Sequence, residues 1–147
     1  MGTTRISTDF LLYTYLTGNA ALLAVLDATT NKIYGGQLGV PPGIGEPKDF
    51  IVFANDGGPG HPDIPMTTER FIFHCYGATI ASLETVYNKL HDALQRKGMS
   101  RHTIATTTQV IRRADRLYGP HPIPEPELGW PRKVVGFSIV FCEWALA

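Results

Sequence analysis

Between Thr67 and Leu94 the hydrophobic spacing changes period at a single glycine, Gly77. Before it, "TTERFIFHCYG" alternates. Phe71, Phe73 and Cys75 point one way, and Arg70, Ile72, His74 and Tyr76 the other, the pattern of a half-buried strand. After it, Ile80, Leu83, Val86, Tyr87, Leu90, Ala93 and Leu94 recur at spacings of three and four, the pattern of an amphipathic helix. A strand with one apolar face, running into a helix with one apolar stripe, covers both by laying the helix back on the sheet. Thr79 or Ser82 can cap the helix start. Lys89, Arg96 and Lys97 complement the negative end of its dipole, and Gly98 stops it. That predicts a helix of ~28 Å at ~1.5 Å per residue.

The rest of the chain supplies partners for this pair. Ser7 or Thr8 can cap a helix beginning near Asp9, and "DFLLYTYL" is apolar nearly all round, which demands burial or a partner. Gly18 interrupts it, and Asn19 can cap a second short helix, Ala20 to Leu26. "KIYGG" reads as a short strand and "FIVFAN", Phe50 to Asn55, as a continuous apolar one. "HTIATTTQVIRRADRLYG", His102 to Gly119, reads as one long strand, and "KVVGFSIVFCEW", Lys133 to Trp144, as the last. Stretches 36–49, 56–65 and 120–131 are rich in Gly and Pro and read as loops. Runs of strands broken by one major helix predict an α+β fold. The expected form is a single domain over 1–147, with a mostly antiparallel four- to five-stranded sheet. One major helix and a short N-terminal helical pair pack on it.

Charged residues make up 18% of the 147 and the formal net charge is zero. Nucleic-acid binding through long-range attraction needs a basic excess, and a sparsely charged neutral surface associates readily with other protein. "MGTTRISTDF" lacks the apolar stretch of a signal peptide, and no run approaches the ~20 apolar residues of a membrane span. The expectation is a protein made and used in the cytoplasm, or in a particle assembled there.

Cys75 stands near a strand-to-helix turn, where hydrolases present a nucleophile. An elbow of that kind needs Gly-x-nucleophile-x-Gly, which this stretch lacks. His74 and Cys75 are adjacent in a strand and point to opposite faces, so they cannot form a nucleophile–base pair. Cys75 and Cys142 both lie in apolar runs and read as reduced, structural thiols. His61 and Asp63, with His121 or His74, could ligate a metal, but the spacing matches no structural zinc pattern. "GGPG" at 57–60 lacks the Lys-Ser/Thr of a phosphate loop. Arg112, Arg113 and Arg116, with "KGMSRH" at 97–102, form a modest basic set that reads as a solvated strand end or a contact for nucleic acid or an acidic face. No catalytic, cofactor or metal constellation rises above background.

The layout as a whole is more telling. "LTGNAALLAVL" is followed by "KIYGGQLGVPPG" and "DFIVFANDGG". Then come "TERFIFHCYGATIASLETVYNKLHDAL", a strand containing "RRADRLY", and a closing "GFSIVFCEW". From about Leu11 to Trp144 this resembles the small tail-completion or tail-terminator proteins of long-tailed bacteriophages and prophages. The resemblance implies a structural protein without catalysis or cofactor. Copies would form a ring, typically a hexamer, on the head-proximal end of the tail tube, ending its growth and joining it to the head-side connector. The implied partners are further copies, the tail tube protein and the connector, with DNA passing through the lumen without specific binding. The implied location is the virion. A ring needs two unlike sticky surfaces on each copy. Segments 36–49, 56–66 and 117–132 are the candidates, with Asp56, His61, Asp63, Arg112, Arg113, Arg116 and Trp130 as interface residues. Three alternatives remain open: a head-side joining ring, a small cytosolic enzyme using Cys75 with a His, and a nucleic-acid-binding module.

Overall fold

The computed structural model describes residues 8–27, 32–36, 40–41, 44–56, 66–94, 100–104 and 107–143. In chain order the elements are α1 (Thr8–Thr17), α2 (Ala20–Leu23), β1 (Ile33–Gly35), β2 (Phe50–Asn55), β3 (Met66–Tyr76), α3 (Ile80–Leu94), β4 (Ser100–Ile104), β5 (Thr107–His121) and β6 (Arg132–Glu143). The strands form one sheet in the order β1-β2-β3-β6-β5-β4. The fold is α+β. Every junction is antiparallel except the parallel pair β1–β2 at one edge.

The sheet has six strands because the stretch read as one strand, His102 to Gly119, is a hairpin. β4 folds back on the first residues of β5, with Thr103 opposite Thr108. The remaining strands follow the alternation in the sequence. Phe71, Phe73 and Cys75 of β3, and Val135, Phe137, Ile139 and Phe141 of β6, are buried in one core. The same core takes Leu12 and Leu16 of α1, Leu22 of α2, and Leu83, Val86, Leu90 and Leu94 of α3. Each such side chain contributes ~1.5–3 kcal/mol of hydrophobic stabilisation. The all-round apolar character of α1 is met by burial: Tyr13 and Tyr15 pack against the core, and the Tyr15 hydroxyl donates to Ala93 O at 2.7 Å.

Two caps are formed where the sequence offers them. Asn19 Oδ1 accepts from Leu22 N at 3.0 Å. Thr79 and Ser82 cap α3 reciprocally, with Ser82 N donating to Thr79 Oγ1 at 3.1 Å and Thr79 N to Ser82 Oγ at 2.9 Å, the geometry of a capping box. α3 spans 15 residues, ~22 Å at 1.5 Å per residue. It is described only to Leu94, short of the expected stop at Gly98; residues 95–99 lie outside the described part. Gly77 is the seam between strand and helix. A Cβ there would sit 2.6 Å from the backbone of Leu83, so glycine lets α3 start directly against the end of β3. No helix among the described residues is long and apolar enough to cross a membrane.

Candidate functional site

The helices cover one face of the sheet. The other face is read as rows across the strands. Asp56, just past the end of β2, sits beside Arg70, to whose carbonyl its backbone N–H donates at 2.6 Å. Arg70 is followed across the sheet by Ser138 and Asp115. The next row is Ala54, Ile72, Gly136 and Tyr118, then Tyr34, Val52, His74, Val134 and His121, then Phe50, Tyr76 and Arg132.

Part of this face carries a second core. Phe50, Val52, Tyr76 and Trp130 are buried together, with Tyr34, Val40 and Ile44 packed against them. Tyr76 stacks on Phe50 with centroids 4.5 Å apart, and Tyr34 meets Phe50 edge-on at 6.0 Å. Trp130 is 8% exposed. The connection from β5 to β6 therefore crosses this face and is pinned there. Its turn is tightly bonded. Glu125 Oε2 accepts from Glu127 N and Leu128 N at 3.0 and 2.5 Å, Gly129 N donates to Glu125 O at 2.7 Å, and Glu125 N to Trp130 O at 3.0 Å. Arg132 Nε ties the near end by donating to Ile123 O at 3.0 Å.

Two polar atoms lie buried beside this strap without a partner in hydrogen-bonding geometry, Tyr76 Oη and His74 Nδ1. Burial pushes the Tyr76 phenol up, against the pull of the neighbouring Arg132. Burial, helped by the same guanidinium, holds His74 down at about 4, so its imidazole is neutral at physiological pH.

Tyr118 lies flat on the sheet over Gly136, where a Cβ would come within 2.2 Å of the ring. It stacks beside His121 with centroids 6.0 Å apart and planes at 20°. Gly119 between them has φ +84°, and a Cβ there would meet Val134 O at 2.6 Å; only glycine suits both demands. Tyr118 remains 39% exposed, Leu117 50%, Ile123 47% and Leu128 52%. Register shifts on either side of Leu117 and Tyr118 bend the strand here.

The residues singled out from the sequence are dispersed. Asp56 is exposed and, after partial burial, contributes to raising the Tyr118 phenol. Arg116 pairs with Phe137 on the helix-covered side and donates to the Tyr87 hydroxyl at 3.3 Å. Arg112 and Arg113 belong to β5 by their backbone, with a register shift between Ile111 and Arg113. His61 and Asp63 lie outside the described residues. Trp130, named from the sequence as a candidate interface residue, is placed as an internal anchor: a large apolar side chain beside the apolar side of β2 turns inward. Leu117, Tyr118, Ile123 and Leu128 fall within the segment 117–132 marked from the sequence as a candidate contact, but were not singled out there, because prolines and charged residues surround them.

Cys75 lies on the opposite face from His74, wholly buried, and burial pushes its thiol up to about 12, against the pull of Lys133. It is a protonated, inaccessible thiol. Among the described residues, no three His, Cys, Asp or Glu side chains gather as a metal site. The chain matches no protein-family model and no curated protein.

Proposed function

We propose that the chain is a structural subunit of a long-tailed phage, a ring protein that caps the head-proximal end of the tail tube. It would end tube polymerisation and join the tail to the head-side connector. The observation that carries this reading is a sheet whose two flanks differ. One ends in the three-residue parallel strand β1, the other in the antiparallel β4–β5 hairpin. A ring is a head-to-tail arrangement, so each copy must offer two unlike surfaces. The low charge content supports close contact between copies, and the order of motifs along the chain resembles that family. In this reading the protein works in the virion at the head–tail junction and is assembled in the host cytoplasm. DNA threads the ring without sequence-specific contact.

The test adds the purified chain to polymerising tail tube protein and measures tube lengths by electron microscopy. Tubes of bounded length with a ring at one end are expected. Unbounded tubes that carry no ring would refute the reading, as would wild-type tail lengths in virions made without this gene.

A further inference from the structure

His74 lies beside the strap, on the face of the sheet away from the helices. It stands directly across from Val52 of β2 and Val134 of β6. Tyr76, two residues on and on the same face, is buried together with Val52 and the strap's Trp130. The imidazole is therefore walled by the neighbours of Trp130, and its Nδ1 is buried without a hydrogen-bond partner. Arg132 stands directly across from Tyr76 and diagonally from His74. The same Arg132 holds the strap, donating from Nε to Ile123 O at 3.0 Å.

This place suits a neutral imidazole and penalises an imidazolium. A second N–H would need an acceptor, and a second cation would stand buried beside a guanidinium. Burial first, and Arg132 second, hold His74 down at about 4. The groups around it offer no relief. β2 presents Phe50 and Val52 on this face, and β1 presents Tyr34. β6 brings Arg132, and β5 brings His121 beyond Val134 in the same row, another base. The carboxylate of Glu125 acts on Tyr76 but is committed to the strap's own turn, accepting from Glu127 N and Leu128 N.

A proton on His74 is therefore accommodated only if one wall of its site opens to water. The strand cannot yield, because β3 is paired with β2 from Phe71 to Tyr76 and with β6 from Met66 to Tyr76. The strap can. Residues 122–124 and 126–129 are exposed. The strap is held to the body by the Trp130 ring, by the Arg132 bond to Ile123 O, and by a Gly77 N–H bond to Pro131 O at 3.3 Å. Local opening follows the most weakly tied element. We propose that protonation of His74 lifts the strap and Trp130 off the sheet, while the sheet and the helices on its other face stay folded. Lifting gives the imidazolium solvent and uncovers the stacked rings of Phe50 and Tyr76. The open form takes up the proton near the ordinary 6.5 and the closed form at about 4, so opening is favoured as the pH falls below 6.5. An aromatic surface covered at neutral pH is then bared in acid, as a step separate from unfolding.

The test uses the full chain with Trp144→Phe, which leaves Trp130 as its single tryptophan. Acrylamide quenching of Trp130 fluorescence and far-UV circular dichroism are followed together from neutral pH down to about 3. Quenching is expected to rise at a higher pH than the one at which the circular dichroism is lost. Adding His74→Leu should remove this early rise, so that both signals change together. Adding Glu125→Gln, which keeps an acceptor in the turn without the charge, should leave the early rise in place. Nuclear magnetic resonance titration of His74 in the unsubstituted chain needs no variant to fold, and its midpoint should match that of the early rise. Quenching and circular dichroism that change together in the Trp144→Phe chain would overturn the proposal. So would an early rise that survives His74→Leu or disappears with Glu125→Gln, or a His74 midpoint that differs from it.

Discussion

Lys133 stands directly across the strand pair from Cys75 and reaches over the helix–sheet seam to the carboxylate of Glu84 on α3. Its ammonium also lies 5.3 Å from the centre of the Tyr87 ring. It is the one buried charged residue among the described residues, and the pair ties the major helix to the middle of the sheet.

Removing the two partners of this pair has unequal effects. Glu84→Gln leaves a buried ammonium without its counter-charge and is expected to cost about 1–2 kcal/mol, reduced from the fully buried case because Glu84 is half exposed. Lys133→Met removes the charge and keeps the volume, and is expected to lie within about 1 kcal/mol of wild type. Urea unfolding of both variants measures the order, and a Lys133→Met protein less stable than Glu84→Gln contradicts it.

His74 and Asp9 give pH dependences of opposite sign. The folded value of His74, about 4, lies below its ordinary 6.5. Its contribution is therefore present above pH 6.5 and lost as the pH falls toward 4, where the unfolded chain takes up the proton first. His74→Asn should flatten that acid limb by about 1 kcal/mol, a figure discounted for partial exposure. Burial, and secondarily Glu69, raise Asp9 above 3.8, so its ionisation opposes folding. Asp9→Asn should be more stable than wild type at neutral pH, and the gain should vanish as the pH drops through the raised value. Thermal melts from about pH 4 to 8 test both.

Cys75 is expected to resist alkylation in the folded protein, because the thiol is both buried and protonated. Peptide mapping after iodoacetamide treatment, with and without denaturant, measures this. Labelling of Cys75 at native conditions at the rate of a free thiol would contradict the burial. Cys75→Ala should retain the fold with a loss of about 1–2 kcal/mol from the small cavity.

Two glycines should respond differently to the same change. At Gly77 the new methyl meets backbone atoms of Leu83, which cannot move without shifting α3. Gly77→Ala is expected to cost about 2 kcal/mol or more. At Gly136 the obstacle is the ring of Tyr118, which can lift into solvent. Gly136→Ala should leave stability within about 1 kcal/mol, as urea unfolding of both variants measures. Equal losses of stability at the two sites would mean that the Tyr118 ring is held as firmly as the helix.

The hydrophobic periods carried most of the fold. The alternation in β3 named its inward residues, and the helical spacing named those of α3, because each burial pattern is local to one element. The β4–β5 hairpin was hidden. The reversal falls between Ile104 and Thr107, within "IATTT", where Ile and Thr favour a strand and no Gly, Pro or Asn-Gly marks a turn. The inward Trp130 was hidden too, since "LGWP" has the composition of a surface loop. One signal pointed to its partner. "FIVFAN" is apolar without alternation, and Phe50, Ile51, Val52 and Phe53 are all buried, as befits a strand covered on both faces. A two-sided strand requires something over its second side, and Trp130 is a large apolar residue in a loop free to supply it. The flat setting of Tyr118 on Gly136 had no signature, because it arises from register between two strands distant in sequence.

The order β3-β6-β5 places the last strand in the middle of the sheet. β6 is flanked along nearly its whole length by β3 on one side and β5 on the other. While a ribosome is still making residues 132–143, the strands on either side of that gap have nothing to join them, and each shows a raw hydrogen-bonding edge. The sheet therefore closes only once residues 132–143 have been made and are free to pair, and until then the edges of β3 and β5 stay open.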